Sequence, residues 1–219
     1  MSVDANAYHR LKAELDAQGV TLLAVSKTKP KEDIEALYQL GHRDFAENYV
    51  QELVEKQPLL PDDIRWHFIG HLQRNKVKYI ASFCAMIQGV DSLSLLQEIN
   101  KQAQKCGRVI DVLLQVHIAS EETKFGLGND EVFALLEQAS LYPNVQIKGL
   151  MGMASFTDNT EQVRQEFLTL KSIFDRVNAQ GPHNRLTVLS MGMSGDYRLA
   201  ITCGSTMVRV GSLLFGARS

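Results

Sequence analysis

The sequence predicts an α/β chain folded as a single-domain (β/α)8 barrel of the TIM type over residues 1–219. Short β-branched runs alternate with longer stretches of helical spacing from one end to the other, and no linker interrupts them. Eight such units in 219 residues fit a closed barrel better than an open doubly wound sheet. No GxGxxG follows the first run, which weighs further against a dinucleotide-binding sheet.

Taken in order, residues 5–18 form an amphipathic helix that precedes the first strand and packs across the barrel. Strands are expected over residues 22–26, 44–46, 66–69, 86–89, 109–117, 146–151, 187–190 and 207–209. Helices are expected between them, among others over 31–40, 92–104, 130–140, 161–179 and 196–202. Asp91 and Asn129 stand where N-caps belong, and Pro30 sits where a first helical turn tolerates it. Within 161–179, Val163, Phe167, Leu170, Ile173, Phe174 and Val177 recur at helical spacing and read as core.

Composition narrows the function classes. There are 23 basic and 25 acidic residues, a net charge of −2, and no Lys/Arg run that could track a phosphate backbone, so nucleic acid is not the expected partner. The longest apolar stretches are short and strand-like, and the charged N-terminus lacks a secretory apolar core, so a soluble, cytoplasmic protein without a membrane segment is expected. Cys84, Cys106 and Cys203 are scattered without CxxC spacing and read as reduced, mostly buried thiols. His67 and His71 are four apart, but no glutamate lies between them and the segment reads as strand into turn, so no metal site is expected. His42, His117 and His183 read as surface or satisfied core residues.

In a barrel, the residues that end each strand converge on one face. Several ends are polar: Ser26-Lys27, Glu47-Asn48, His67, Ser190 and Arg209. The first run, LLAVSK, leads an apolar strand straight into Lys27, placing an amine at the edge of the core. Burial disfavours the ammonium form, and only the neutral amine attacks a carbonyl, so imine formation with an aldehyde is the chemistry such a lysine offers. Lys29 is the rival, but Pro30 follows it and places it in the loop. Near the C-terminus, Gly211 and Ser212 follow the last strand, where their N–H groups can hold a phosphate. Ser194, in the small-residue turn after the seventh strand, is placed to cap the next helix or to bond a phosphate oxygen. A lysine on strand one facing a phosphate cradle on strands seven and eight calls for an aldehyde that bears a phosphate, and pyridoxal 5'-phosphate meets both demands.

The runs LLAVSKTKP, FAENYVQE, WHFIGHLQ with Asn75-Lys76, GLMGMA, LSMGMS and GSTMVRVGSLLFGAR closely resemble those of the pyridoxal phosphate homeostasis proteins, the YggS-like group. The resemblance spans nearly the whole chain. It implies the alanine racemase N-terminal-like barrel (PLP fold type III), shared with eukaryotic ornithine decarboxylase, and the cofactor pyridoxal 5'-phosphate. It further implies that Lys27 forms the Schiff base, that Arg209 faces the pyridine nitrogen, and that Ser194, Gly211 and Ser212 make the phosphate shell with Ser190 beside them. Asn48 and His67 are expected near the ring.

A guanidinium cannot accept a proton, so Arg209 beside the ring nitrogen would leave the cofactor a poor electron sink. Only Lys27 can be named as a proton carrier, whereas a racemase needs two on opposed faces. The chain ends soon after the last strand, without a second domain to supply the other. These points favour a monomeric, non-catalytic carrier that buffers vitamin B6 aldehyde or delivers it to PLP-dependent apoenzymes. Lys124, in the polar loop after the fifth strand, is a candidate to receive the aldehyde during release. A monomeric amino-acid racemase and a phosphosugar-binding barrel are the alternatives.

Overall fold

Side-chain parity along the eight apolar runs settles how the sheet closes. The computed structural model describes residues 3–121, 125–181 and 185–216, and within them eight parallel strands pair in sequence order into a closed barrel. In chain order the elements are α1 (Ala5–Asp16), β1 (Thr21–Val25), α2 (Lys31–Gln39), β2 (Asp44–Glu47), α3 (Val50–Lys56), β3 (Arg65–Phe68), α4 (Val77–Ile80) and β4 (Met86–Val90). There follow α5 (Leu93–Lys105), β5 (Ile110–Gln115), α6 (Asn129–Glu137), β6 (Val145–Met151), α7 (Thr160–Ala179), β7 (Val188–Met193), α8 (Tyr197–Thr202), β8 (Met207–Val210) and α9 (Ser212–Phe215). Strand β8 returns to β1, pairing Leu23 with Arg209, and this closes the ring.

Alternate residues of each strand face opposite ways. Leu22, Ala24, Phe45, Trp66, Phe68, Ile87, Val112, Leu114, Leu150, Leu189, Val208 and Val210 belong to the large core between barrel and helices. The other parity fills the barrel with two separate apolar clusters. One centres on Leu23, Ala46 and Met207, the other on Met86, Leu113 and Met151. Both faces of the sheet are therefore buried, which is why the strands read as continuous apolar runs. Every expected core residue of α7 is buried, and α1 buries Tyr8, Leu11 and Leu15.

Several local expectations need correction. Ser92, not Asp91, caps α5 by accepting from Leu95 N–H at 3.3 Å; Asp91 instead accepts from His71 Nδ1 at 3.0 Å. Asn129 is the first residue of α6, whose preceding Gly128 N–H is met by Glu131 at 2.7 Å. Pro30 stands just outside α2 in extended geometry. β5 ends at Gln115, two residues before the expected end, and Val116 makes an isolated bridge with Leu127. β7 runs three residues past Ser190. Of the thiols, Cys84 and Cys203 are buried, Cys106 is exposed, and all three are free. His42 is buried, with Nε2 donating to Asp44 O at 2.8 Å, and burial lowers its pKa to about 4. His117 Nε2 donates to Glu121 O at 2.9 Å, whereas His183 lies outside the described residues. No described helix is long and apolar enough to cross a membrane.

Candidate cofactor site at the barrel mouth

The strands end together around a cavity of about 390 Å3, and the lining combines polar groups with apolar walls. Lys27 enters it from the turn after β1, Asn48 from the end of β2 and Arg209 from β8. Ser194 joins from the turn after β7, and Gly211 and Ser212 from the exit of β8. Val25, Ile69, Met153, Met193 and Phe156 supply the apolar walls. A volume in the roughly 300–1,000 Å3 range of small-ligand pockets suits one compact molecule.

Arg209 sets the electrostatics of this mouth. Only 4% exposed, it donates through Nη1 to Ser190 O and Ser190 Oγ, both at 2.8 Å, and through Nη2 to Gly152 O at 2.9 Å. Burial lowers its pKa to about 10, so it stays cationic at neutral pH. It makes no ion pair among the described residues. A buried cation held only by neutral acceptors leaves positive charge on the cavity wall for an electron-rich ligand.

A second observation concerns Asn48. Its side-chain oxygen is buried and accepts no hydrogen bond, so a polar ligand at this wall would complete it. Gly70 keeps Asn48 in place, since a Cβ there would run into the Asn48 backbone. The residues present thus fit a ligand that is electron-rich, polar at its edge and bounded by apolar walls.

Two expected residues do not reach the cavity. Ser190 is wholly buried one level below it, where its hydroxyl donates to Gln88 Oε1 at 2.7 Å while accepting from Arg209. Expected beside the phosphate shell, it instead orients the guanidinium and is not among the residues lining this cavity. His67 lies deeper still, 4% exposed, with Nε2 3.3 Å from Asp44 Oδ1 and Nδ1 3.2 Å from Gln88 Nε2. Because Gln88 uses its oxygen on Ser190, its nitrogen must donate to His67 Nδ1, so the histidine proton sits on Nε2, toward Asp44. Both residues point into the barrel, and parity fixes that direction but not height along the barrel axis. Gly211 N–H is likewise engaged, donating to Ser194 Oγ at 3.2 Å, and ties the two small-residue turns together. Ser194 therefore bridges β7 and β8, while Asp196 Oδ1 takes Met193 N–H at 2.6 Å ahead of α8.

The alanine racemase N-terminal domain family matches residues 4–219. The pyridoxal phosphate homeostasis protein of Pasteurella multocida is 39% identical over 99% of this chain and 94% of its own length. That of Aquifex aeolicus is 43% identical over 90% of this chain and 86% of its own length. The chain belongs to this family of pyridoxal phosphate homeostasis proteins. Among solved structures, PipY of Synechococcus elongatus with PLP bound superposes with a TM-score of 0.89 at 36% identity, covering 97% of this chain and 99% of PipY.

Membership accounts for the fold. Six expected site residues line the same cavity: Lys27, Asn48, Ser194, Arg209, Gly211 and Ser212. Sequence reasoning missed Gln88, which links Arg209 to the interior; its signal was a lone amide inside the buried run MIQGV. It also missed Lys56 and Glu52, which hold the Lys27 turn from outside the barrel. Their spacing of four on α3 reads as an ordinary surface pair. Lys29 lines the cavity too, with Nζ donating to Phe215 O at 2.9 Å. Lys124 lies outside the described residues.

Proposed function

We propose that this protein binds pyridoxal 5'-phosphate in the mouth cavity, holds it as an imine on Lys27, and buffers or delivers it to PLP-dependent apoenzymes as a cytoplasmic monomer. One observation carries the reading: Lys27, the buried Arg209 cation and the Ser194, Gly211 and Ser212 turns line a single cavity. The bound cofactor supplies an aldehyde that an amine captures reversibly. Lys27 is the anchoring amine. Ser194, Gly211 and Ser212 stand for the phosphate, Arg209 for the ring nitrogen, and Asn48 offers its orphan oxygen at the ring edge. The homeostasis names of the bacterial relatives and the PLP in PipY support this assignment.

The same wall favours a carrier over a catalyst. Arg209 can only donate, which keeps a neighbouring pyridine nitrogen unprotonated and a developing carbanion unstabilised. Among the described lining residues there is no Asp, Glu, His, Cys or Tyr to act as a proton carrier facing Lys27.

Added pyridoxal 5'-phosphate should give a visible imine band and, after borohydride reduction, a single modified residue at Lys27. Lys27→Ala should abolish both. A reduced adduct on another residue of the purified wild type, or a colourless protein, would refute the assignment. Exchange of an amino acid's α-hydrogen in deuterated water, catalysed by the loaded protein, would overturn the carrier half of the reading.

A further inference from the structure

Lys27 lies in a turn that the chain does not hold by local propensity. Lys29 N–H donates to Ser26 O at 3.1 Å, closing the turn, and Thr28 at its third position has a φ of 63°. That left-handed conformation ordinarily belongs to Gly in such turns, and a β-branched side chain makes it strained. Thr28 is the only described non-glycine residue with positive φ. Such an outlier persists only where its surroundings over-determine it.

The surroundings do so from outside the barrel. The Lys56 ammonium donates to Ser26 O at 2.9 Å, the carbonyl of the peptide bond that leads into Lys27. It also donates to Glu47 Oε1 at 2.8 Å and Glu52 Oε1 at 2.6 Å, so its three protons have three acceptors. Glu52 Oε1 in turn accepts the N–H of Thr28, directly after Lys27, at 2.6 Å. Glu47 Oε1 takes the Ser26 hydroxyl at 2.7 Å. Lys56 and Glu47 are buried, with side chains 11% and 0% exposed. The peptide groups on both sides of Lys27 are thus gripped by one charged cluster, none of whose members lines the cavity.

We propose that Lys56, held between Glu47 and Glu52, is a positioning residue that locks the strained 26–29 turn and so presents the Lys27 amine to the aldehyde. The inference rests on the reading of Lys27 as the covalent anchor. In that step the neutral amine nitrogen bonds to the aldehyde carbon and the carbonyl oxygen leaves as water, with no change of oxidation state. The cluster takes no part in the bond-making. It lowers the cost of bringing the nitrogen to the carbon by fixing the backbone that carries it.

The test compares wild type, Lys56→Met, Lys56→Arg and Lys56→Met/Thr28→Gly. Two ligands separate anchoring from pocket integrity: pyridoxal 5'-phosphate, followed by imine absorbance, and pyridoxamine 5'-phosphate, which has the same ring and phosphate but no aldehyde. Amide hydrogen exchange over residues 26–29 reads the turn without any ligand. For Lys56→Met we expect the imine equilibrium to fall at least about tenfold, the scale of one charge-assisted hydrogen bond. Pyridoxamine 5'-phosphate affinity should stay within about twofold, and exchange over 26–29 should accelerate. Lys56→Arg should restore part of the imine, and Thr28→Gly should restore much of it by removing the strain that the cluster opposes. Should Lys56→Met fail to fold, Lys56→Met/Glu47→Gln removes the buried unpaired carboxylate and replaces it in the comparison. An unchanged imine equilibrium with unchanged exchange overturns the proposal, as does a parallel loss of both ligands. If the wild type forms no reducible adduct at Lys27, the proposed function and this role fall together, a result distinct from failure of the cluster alone.

Discussion

At the base of the barrel, where the strands enter, Arg65 Nε lies 2.7 Å from Asp44 Oδ1, Arg43 Nε lies 2.7 Å from Asp63 Oδ2, and Lys12 pairs with Asp16. At the mouth, Arg209 is the buried cation, and its acceptors are two carbonyls and a hydroxyl. Between the two ends runs a hydrogen-bonded line, Asp44 to His67 to Gln88 to Ser190 to Arg209. Charge is cancelled locally at the base, whereas inside the barrel at the mouth Arg209 has no ion pair among the described residues. The difference separates charges that neutralise one another from a desolvated cation whose direct partners are neutral, and which gains most when an electron-rich ligand arrives.

The largest effect is expected at the base. Asp44→Asn deprives Arg65 of its carboxylate and leaves His67 a neutral amide in place of a charged acceptor, costing about 1–3 kcal/mol in urea unfolding at pH 7. Although burial works against ionisation, hydrogen bonds from His67 and Arg65 hold the Asp44 carboxyl far below its ordinary 3.8. The stability it contributes is present above that value and is lost as pH falls below it. The gap between wild type and variant should therefore narrow in acid. A gap that persists unchanged at the lowest pH would show that charge is not what the base uses.

Glu47, at the mouth end but on the outer face, gives an opposite slope. Burial raises its carboxyl from 4.5 to about 7, against the pull of Lys56. A raised value means the folded chain holds a proton that the unfolded chain has released, so this stabilisation is full below 4.5 and fades as pH rises through about 7. Glu47→Gln should gain on wild type in melting temperature across that window. A difference that does not vary with pH would refute the assignment.

The smallest effect on stability is expected at Arg209. Without ligand, Arg209→Met should change unfolding free energy by less than about 1 kcal/mol, because removing a desolvated cation offsets the hydrogen bonds lost. The stabilisation that added pyridoxal 5'-phosphate gives the wild type should shrink sharply in the variant. An apo loss as large as that of Asp44→Asn would erase the contrast between the two ends.

How much of this was legible before folding differs from residue to residue. The eight strands were legible because both faces of the sheet are buried, so each strand is an apolar run whatever its parity. Lys27 and Arg209 stood out as single charges inside or ending such runs. The resemblance to the family sharpened them. Ser190 and His67 were read as polar strand ends at the mouth, whereas the structure seats both below the cavity lining, because the sequence does not fix height along the barrel axis. Asp91 lost its cap to Ser92 because adjacent polar residues compete for one position, and only backbone geometry picks the winner.

Lys56 marks the boundary most clearly. On α3 it looks like half of an exposed pair with Glu52, yet it is buried against the carbonyl that precedes Lys27, thirty positions away in the chain. Residue chemistry and its period are local properties, so the linear order of side chains already contained the barrel, its polar rim and an amine at the end of the first strand. Depth along the axis, the choice of hydrogen-bond partner and the degree of desolvation depend on contacts between distant segments. Only closure of the ring could decide that Arg209 would be buried with no ion pair among the described residues while the base cancelled its own charges.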